Sequence, residues 1–65
     1  MSDTIGIAGA GRMGSAFARR LVEAGREVRI WNRSPGRCAA AVSAGAGQAA
    51  DLAELARCDI LLLPP

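Results

Sequence analysis

The chain has 65 residues, of which 51% are hydrophobic and 22% are charged, and its formal net charge is +2. A chain of this length forms at most one small domain, and this composition differs from that of disordered proteins. His, Lys and Tyr are absent, so most side chains used in general acid–base catalysis are missing. The small charge and the dispersed arginines also argue against a nucleic-acid-binding surface.

The two cysteines, the N-terminal residues and the longest apolar run bear on metal binding and on the cellular location of the protein. Cys38 and Cys58 do not form a C-x-x-C pair and have no His to accompany them, which favours buried, reduced thiols over a metal site. Residues 1–4 lack the features of a secretory signal. The longest apolar run, residues 60–65, is shorter than the roughly 20 residues that span a bilayer. We therefore expect a cytoplasmic protein without membrane partners.

The first half of the chain predicts a strand, a helix and a second strand. Residues 4–8 form a short β-branched run typical of a buried strand. From residue 12 the apolar period becomes helical, and Gly25 suits the end of that helix. Residues 27–32 then alternate between polar and apolar side chains, as a strand does. The predicted apolar face of the helix carries Met13, Phe17, Leu21 and Ala24.

The second half continues the alternation of helices and strands. Ser34 and Pro35 suit the start of a second helix that stops at Gly45, and residues 46–50 fit a brief third strand. Asp51 and Glu54 have the spacing of a capping box, which predicts a short third helix. Residues 60–63 are continuously apolar, the pattern of a strand covered on both faces.

This alternation predicts an α/β fold with a parallel sheet and flanking helices. In a Rossmann-type sheet the strand order would be 3-2-1-4, which places the last strand beside the first and a ligand crevice at their carboxyl ends. Residues 1–65 would then be the N-terminal part of one such domain, truncated after the fourth strand, with no second domain. A sheet that stopped at Leu63 would leave its last strand, residues 60–63, as an unpaired apolar edge, which favours the same interpretation.

A glycine fingerprint lies between the first strand and the first helix. Residues 9–14 match G-x-G-x-x-G, and each glycine has a separate task. Gly9 permits the tight turn, Gly11 leaves space for a diphosphate near the backbone, and Gly14 lets the helix approach the strand. The amides of the first helical turn would face the phosphates. The predicted diphosphate-binding residues are Gly9, Ala10, Gly11, Arg12, Met13 and Gly14.

The residues after the second strand predict NADP as the cofactor, with NAD as the alternative. Asn32 stands where NAD-preferring domains have an acidic residue for the adenine ribose. An amide can bond the ribose but does not repel a 2′-phosphate. Arg33 could grip that phosphate bidentately, Ser34 could donate a hydroxyl, and Arg37 lies one turn along the second helix. The other interpretation is that these arginines are merely solvated.

The chain resembles the N-terminal part of the β-hydroxyacid dehydrogenase family, which includes 3-hydroxyisobutyrate and 6-phosphogluconate dehydrogenases. Residues 7–14, 21–25, 28–34 and 58–64 carry this resemblance, and imine reductases, pyrroline-5-carboxylate reductase and F420-dependent NADP reductases are similar here too. The resemblance implies that Gly9 to Gly14 hold the diphosphate, that Asn32, Arg33, Ser34 and Arg37 hold the adenosine end, and that Leu63 and Pro64 contact the cofactor.

The resemblance also implies a function. The family's catalytic Lys, its Ser-Gly-Gly loop and its helical C-terminal domain have no counterpart in residues 1–65, so no catalytic residue is predicted. We expect the NADP-binding portion of an oxidoreductase that transfers hydride between nicotinamide and a small hydroxy acid or imine. Only a longer form would bind the small-molecule substrate, and it could be a homo-oligomer. The alternative is a non-catalytic dinucleotide-binding or redox-sensing module.

Overall fold

The computed structural model describes residues 3–64, and Met1, Ser2 and Pro65 lie outside the described part. Strands and helices alternate along the chain as the sequence predicts. In order, they are β1 (Thr4–Ala8), α1 (Arg12–Glu23), β2 (Glu27–Trp31), a 3-10 helix (Pro35–Cys38), α2 (Ala39–Ser43), β3 (Gly47–Gln48), α3 (Leu52–Leu55) and β4 (Ile60–Leu62). No helix within residues 3–64 has the length and apolar character needed to cross a membrane.

The four strands form one parallel sheet in the order β3-β2-β1-β4, which confirms the predicted Rossmann-type topology. Ile7 of β1 lies beside Ile30 of β2 and Leu62 of β4. Ile7 and Ile30 are fully buried and belong to the core. Because parallel strands share one direction, the carboxyl ends of β1, β2 and β4 lie along the same edge of the sheet.

Helix α1 packs on the sheet through a different face from the predicted one. Gly14 and Ala18 are its buried residues, and Leu21 and Val22 are partly buried against the core. Met13 and Phe17 are instead 48% and 41% exposed, and Ala24 is exposed as well, so the predicted apolar face was wrong at every position except Leu21. The reason is steric, because the close approach of the helix to β1 requires the smallest side chains there.

The helix after β2 begins differently from the prediction. Residues Pro35–Cys38 form a 3-10 turn before α2, and Ser34 occupies the N-cap position without making a side-chain capping hydrogen bond. The capping prediction for α3 is confirmed in its main contact, since the Glu54 amide donates to Asp51 Oδ1 at 2.9 Å. The Glu54 carboxylate accepts from the Ala50 amide at 3.4 Å rather than from Asp51.

Strand β4 is more exposed than its sequence predicts. Ile60, Leu61 and Leu63 are 43%, 46% and 72% exposed, and the strand ends at Leu62. The prediction of a strand covered on both faces was therefore wrong for the described residues. The strand is exposed because it lies at the edge of the sheet, where β1 is its hydrogen-bonded neighbour.

Both cysteines are free. Cys38 is fully buried in the core, and Cys58 is half-buried beside Gly6. Burial raises the pKa of the Cys38 thiol, although a hydrogen bond from the Asn32 backbone partly lowers it. Burial likewise raises the pKa of Cys58, against an opposing effect of the Arg29 charge. Both side chains are therefore protonated thiols near neutral pH, and Cys38 serves as a small apolar core residue.

Candidate functional site

The chain turns sharply at the carboxyl end of β1. Gly9 has φ +127°, a left-handed conformation that L side chains rarely adopt. Its amide donates to the Trp31 carbonyl at 2.7 Å, which continues the pairing of β1 with β2 beyond Ala8. The turn that the fingerprint predicts is thus present, and it directs the backbone from the sheet edge into α1.

Gly14 brings the start of α1 against this turn. A Cβ built on Gly14 would overlap the Gly9 carbonyl oxygen and would lie 3.4 Å from Pro64 Cγ. Backbone atoms form this contact, so no rotamer change could relieve it. The same measurement places the end of the last strand beside the fingerprint, as a crevice between β1 and β4 requires.

Gly11 opens a hollow at the start of α1. A Cβ built on Gly11 would meet no atom within 4 Å, so the space above this residue is free of side chains of the described chain. Gly11 is also the N-cap of α1, which has no side-chain cap and no acidic residue in its first turn. The first amides of a helix lack intrahelical acceptors and carry partial positive charge. The hollow is therefore suited to an anionic group.

Asn32 connects the fingerprint to the segment that follows β2. Its Oδ1 accepts from the Ala10 amide at 2.9 Å, and its Nδ2 donates to the Ser34 carbonyl at 3.0 Å. The Arg37 amide donates to the same Ser34 carbonyl at 3.0 Å. Sequence reasoning assigned Asn32 to the ribose and missed this positioning role. The contact with Ala10 spans 22 residues of sequence, so no local pattern could have shown it.

A basic groove lies between α1 and the segment of residues 35–44. It has a volume of about 720 Å³ and includes Arg12 and Arg19 on one wall and Arg37 on the other. The remaining residues of the groove are small, namely Ala10, Gly11, Ser15, Ala16, Ala40, Ser43 and Ala44. Its ionisable side chains are all arginines, a composition suited to anions rather than to proton transfer. The sequence did not predict that Arg12 and Arg37 line a common groove.

The other predicted residues lie at the same edge of the sheet. Arg33 and Ser34 are exposed immediately after Asn32. Pro64 is half-buried near Gly9 and Gly14, whereas Leu63 is largely exposed. Met13 follows Arg12 in the first turn of α1 and is half-exposed. The fold therefore gathers the fingerprint, residues 32–37 and the end of β4 around one crevice.

These features define a class of protein. A glycine turn between a parallel strand and an uncapped helix, with a neighbouring strand ending beside it, is the arrangement of a dinucleotide-binding domain. Residues 4–63 match the family described as the NAD binding domain of 6-phosphogluconate dehydrogenase. Since the match covers most of the chain, the chain belongs to this family and is an NAD(P)-binding domain.

Individual relatives agree with this assignment. The chain is 37% identical to glycerol-3-phosphate dehydrogenase [NAD(P)+] of Azorhizobium caulinodans, over 94% of this chain and 23% of the relative. The structure of 3-hydroxyisobutyrate dehydrogenase from Mycobacterium tuberculosis with L-serine has a TM-score of 0.90 and 29% identity, covering 100% of this chain and 23% of that one. The predicted resemblance to β-hydroxyacid dehydrogenases is thereby confirmed.

Imine reductases share the fold as well. The structure of the Myxococcus stipitatus enzyme in complex with NADP+ has a TM-score of 0.86 and 31% identity, covering 92% of this chain and 21% of that one. A V8 variant of that enzyme, in complex with NAD+, has a TM-score of 0.90 and 29% identity over 100% of this chain and 23% of that one. The chain thus spans between 21% and 23% of the length of these proteins.

Proposed function

We propose that the chain binds NADP in preference to NAD and is the cofactor-binding part of an oxidoreductase. The observation that carries the proposal is the open hollow at Gly11, which adjoins a groove whose ionisable residues are all arginines. The hollow suits a diphosphate, and the arginines suit an additional phosphate. NADP differs from NAD by such a group, a phosphate on the adenine ribose.

The diphosphate would lie over the start of α1. Gly11 leaves room for it, and the amides of Arg12, Met13 and Gly14 form the first turn of the helix. Attraction between the helix dipole and an anion contributes about 0.3–1 kcal/mol, and up to about 2 kcal/mol in a partly buried position. The Ala10 amide already donates to Asn32, so it would hold the loop rather than the phosphate.

The 2′-phosphate would bind after β2. Arg33 can offer a guanidinium, Ser34 a hydroxyl and Arg37 a second guanidinium at the edge of the groove. A charged hydrogen bond contributes roughly 1.5–3 kcal/mol, so two of them would favour NADP by about a hundredfold to ten-thousandfold. Asn32 adds no negative charge that would oppose this phosphate, and its second Nδ2 hydrogen could still reach the ribose.

The reaction that we propose is hydride transfer between the nicotinamide and a small hydroxy acid or imine. The names of the relatives support these two substrate classes, since they include a 3-hydroxyisobutyrate dehydrogenase and imine reductases. Leu63 and Pro64 would border the cofactor at the end of β4. The acid or base and the substrate contacts would come from outside residues 1–65. The expected cytoplasmic location remains a prediction from the sequence.

Calorimetric titration of the 65-residue chain with NADPH and with NADH tests the cofactor proposal. We expect NADPH to bind at least about a hundredfold more tightly. Arg33→Ala should reduce that ratio by about tenfold or more, because one charged contact with the 2′-phosphate is lost. Arg26→Ala is the matched control, since it removes an equal exposed charge just before β2, at the opposite edge of the sheet.

Two results would overturn the proposal. Equal affinities for NADPH and NADH, unchanged in Arg33→Ala, would remove the role of the arginines in phosphate binding. Failure of a chain with intact circular dichroism to bind either dinucleotide would remove the diphosphate site as well. Hydride transfer itself is tested by assaying a longer form of the protein with NADPH against small keto acids and imines, for which we expect NADPH oxidation with at least one class.

A further inference from the structure

Arg12 and Arg37 both line the groove between α1 and residues 35–44, Arg12 from α1 and Arg37 from the segment after β2. Arg12 is the first residue of α1, and side chains on a helix lean toward its N-terminus. Arg12 therefore leans toward the fingerprint and the sheet edge. Arg37 belongs to the 3-10 turn that follows β2, so it starts from the same edge. The two arginines therefore start from different walls of the groove, each close to the edge of the sheet at which β1 and β2 end.

The two walls are held together by hydrogen bonds. Asn32 accepts from Ala10, two residues before Arg12, and donates to the Ser34 carbonyl, which also accepts from the Arg37 amide. These contacts measure 2.9, 3.0 and 3.0 Å. The backbone of each arginine is thus fixed relative to the other before any ligand arrives, which lowers the entropic cost of binding an anion between them.

The charges on this part of the groove are not neutralised by carboxylates of the described chain. Within residues 3–64 the ion pairs are Arg19 with Glu23 and Arg29 with Glu54, and no acidic residue lines the groove. Arg19 lies two helical turns, about 10 Å, further along α1 than Arg12. Arg19 is therefore distant from the fingerprint and has a partner, whereas Arg12 is adjacent to it.

We infer that Arg12 is a specificity-determining residue that contacts the 2′-phosphate of NADP from the α1 wall, opposite Arg37. The inference rests on the proposed function and deepens it by adding a phosphate-binding residue from the fingerprint itself. The sequence assigned Arg12 only to the diphosphate, a group that NAD and NADP share. A contact with the 2′-phosphate would instead strengthen the binding of NADP and leave the binding of NAD unchanged.

Calorimetric titration of Arg12→Ala with NADPH and NADH tests this assignment. We expect NADPH affinity to fall about tenfold to a hundredfold, as for the loss of one charged hydrogen bond, and NADH affinity to change less than about twofold. Arg20→Ala removes the same charge from an exposed position of the same helix outside the groove, and it should change either affinity less than about twofold. Removing a positive charge from a helix N-terminus does not weaken the helix, so Arg12→Ala should keep the thermal midpoint of the wild type.

Smaller probes isolate the phosphate contact. Adenosine 2′,5′-bisphosphate and adenosine 5′-phosphate differ only in the 2′-phosphate, and Arg12→Ala should weaken the first about tenfold or more while sparing the second. An equal loss for NADPH and NADH, or no loss for either, in a chain that still prefers NADPH would overturn the role of Arg12 alone. Equal wild-type affinities for NADPH and NADH would overturn the proposed function, and the role of Arg12 with it.

Discussion

Replacement of Gly14 by Ala is the sharpest test of the fingerprint geometry. The added Cβ would overlap the Gly9 carbonyl oxygen and come within 3.0 Å of the Gly9 carbonyl carbon. Overpacking typically costs about 1–3 kcal/mol, and this contact belongs at the upper end because both partners are backbone. Ala gains roughly 1 kcal/mol over Gly in a helix. We therefore expect a net loss of about 2 kcal/mol, together with displacement of α1 from β1.

Thermal denaturation followed by circular dichroism measures this loss. A change of 1 kcal/mol shifts Tm by about 4–8 °C in a domain of this size, so Gly14→Ala should melt about 8–16 °C lower and bind NADPH poorly. Gly11→Ala is the matched control, because its Cβ meets no atom within 4 Å and its φ is −71°. It should melt near the wild type, within about 1 kcal/mol.

The two variants separate packing from ligand binding. Gly11→Ala should still lose NADPH affinity by about tenfold or more, because its methyl group occupies the approach of the diphosphate. A Gly14→Ala chain that melts within about 2 °C of wild type and binds NADPH normally would refute the close approach of α1 to the turn. A Gly11→Ala chain with unchanged affinity would refute the location of the diphosphate while leaving the fold intact.

Three further changes test contacts around the site and in the core. Asn32→Asp replaces the amide that donates to the Ser34 carbonyl at 3.0 Å with a carboxylate oxygen. We expect calorimetry to show a tenfold or larger loss of NADPH affinity and no gain in NADH affinity, and tighter NADH binding would contradict this. Asp51→Ala removes the 2.9 Å bond to the Glu54 amide, so thermal melting should show a loss of about 1 kcal/mol, or about 4–8 °C, whereas Asp51→Asn should stay near wild type. Burial raises the pKa of Cys38 above its usual 9.0, so the folded chain holds this proton more tightly than the unfolded chain does. In urea titrations, the contribution of Cys38 to the free energy of unfolding should be constant below about pH 8 and decline above about pH 9. The free energy of unfolding of Cys38→Ala should decline less steeply over that range.

Much of the fold follows from the order of its patterns. Alternation of strands and helices, with a glycine turn after the first strand, was enough to predict a parallel sheet in the order 3-2-1-4. Burial was harder to predict, because periodicity shows which side chains share a face and not how closely that face approaches its neighbour. Phe17 is half-exposed and Ala18 is buried because a glycine contact at residue 14 sets the distance between α1 and β1.

The candidate site divides in the same way. The separate tasks of Gly9 and Gly14 were predictable, because backbone conformation and close approach select glycine in a recognisable spacing. The contact of Asn32 with Ala10 and the shared groove of Arg12 and Arg37 were not, since each joins segments more than 20 residues apart. Such contacts depend on the assembled tertiary structure. Residue type alone does not show which of several possible partners a side chain will contact.

The hydrogen bonds of Asn32 have a consequence for redesign of the domain. Ala10, Asn32, Ser34 and Arg37 share one continuous chain of contacts, so the turn after β1 and the turn after β2 behave as a single mechanical part. A redesign of cofactor preference that replaces only residues 33–37 would leave in place the contact between residues 10 and 32 that positions this segment. The transferable module therefore comprises both turns, and a graft should move them together.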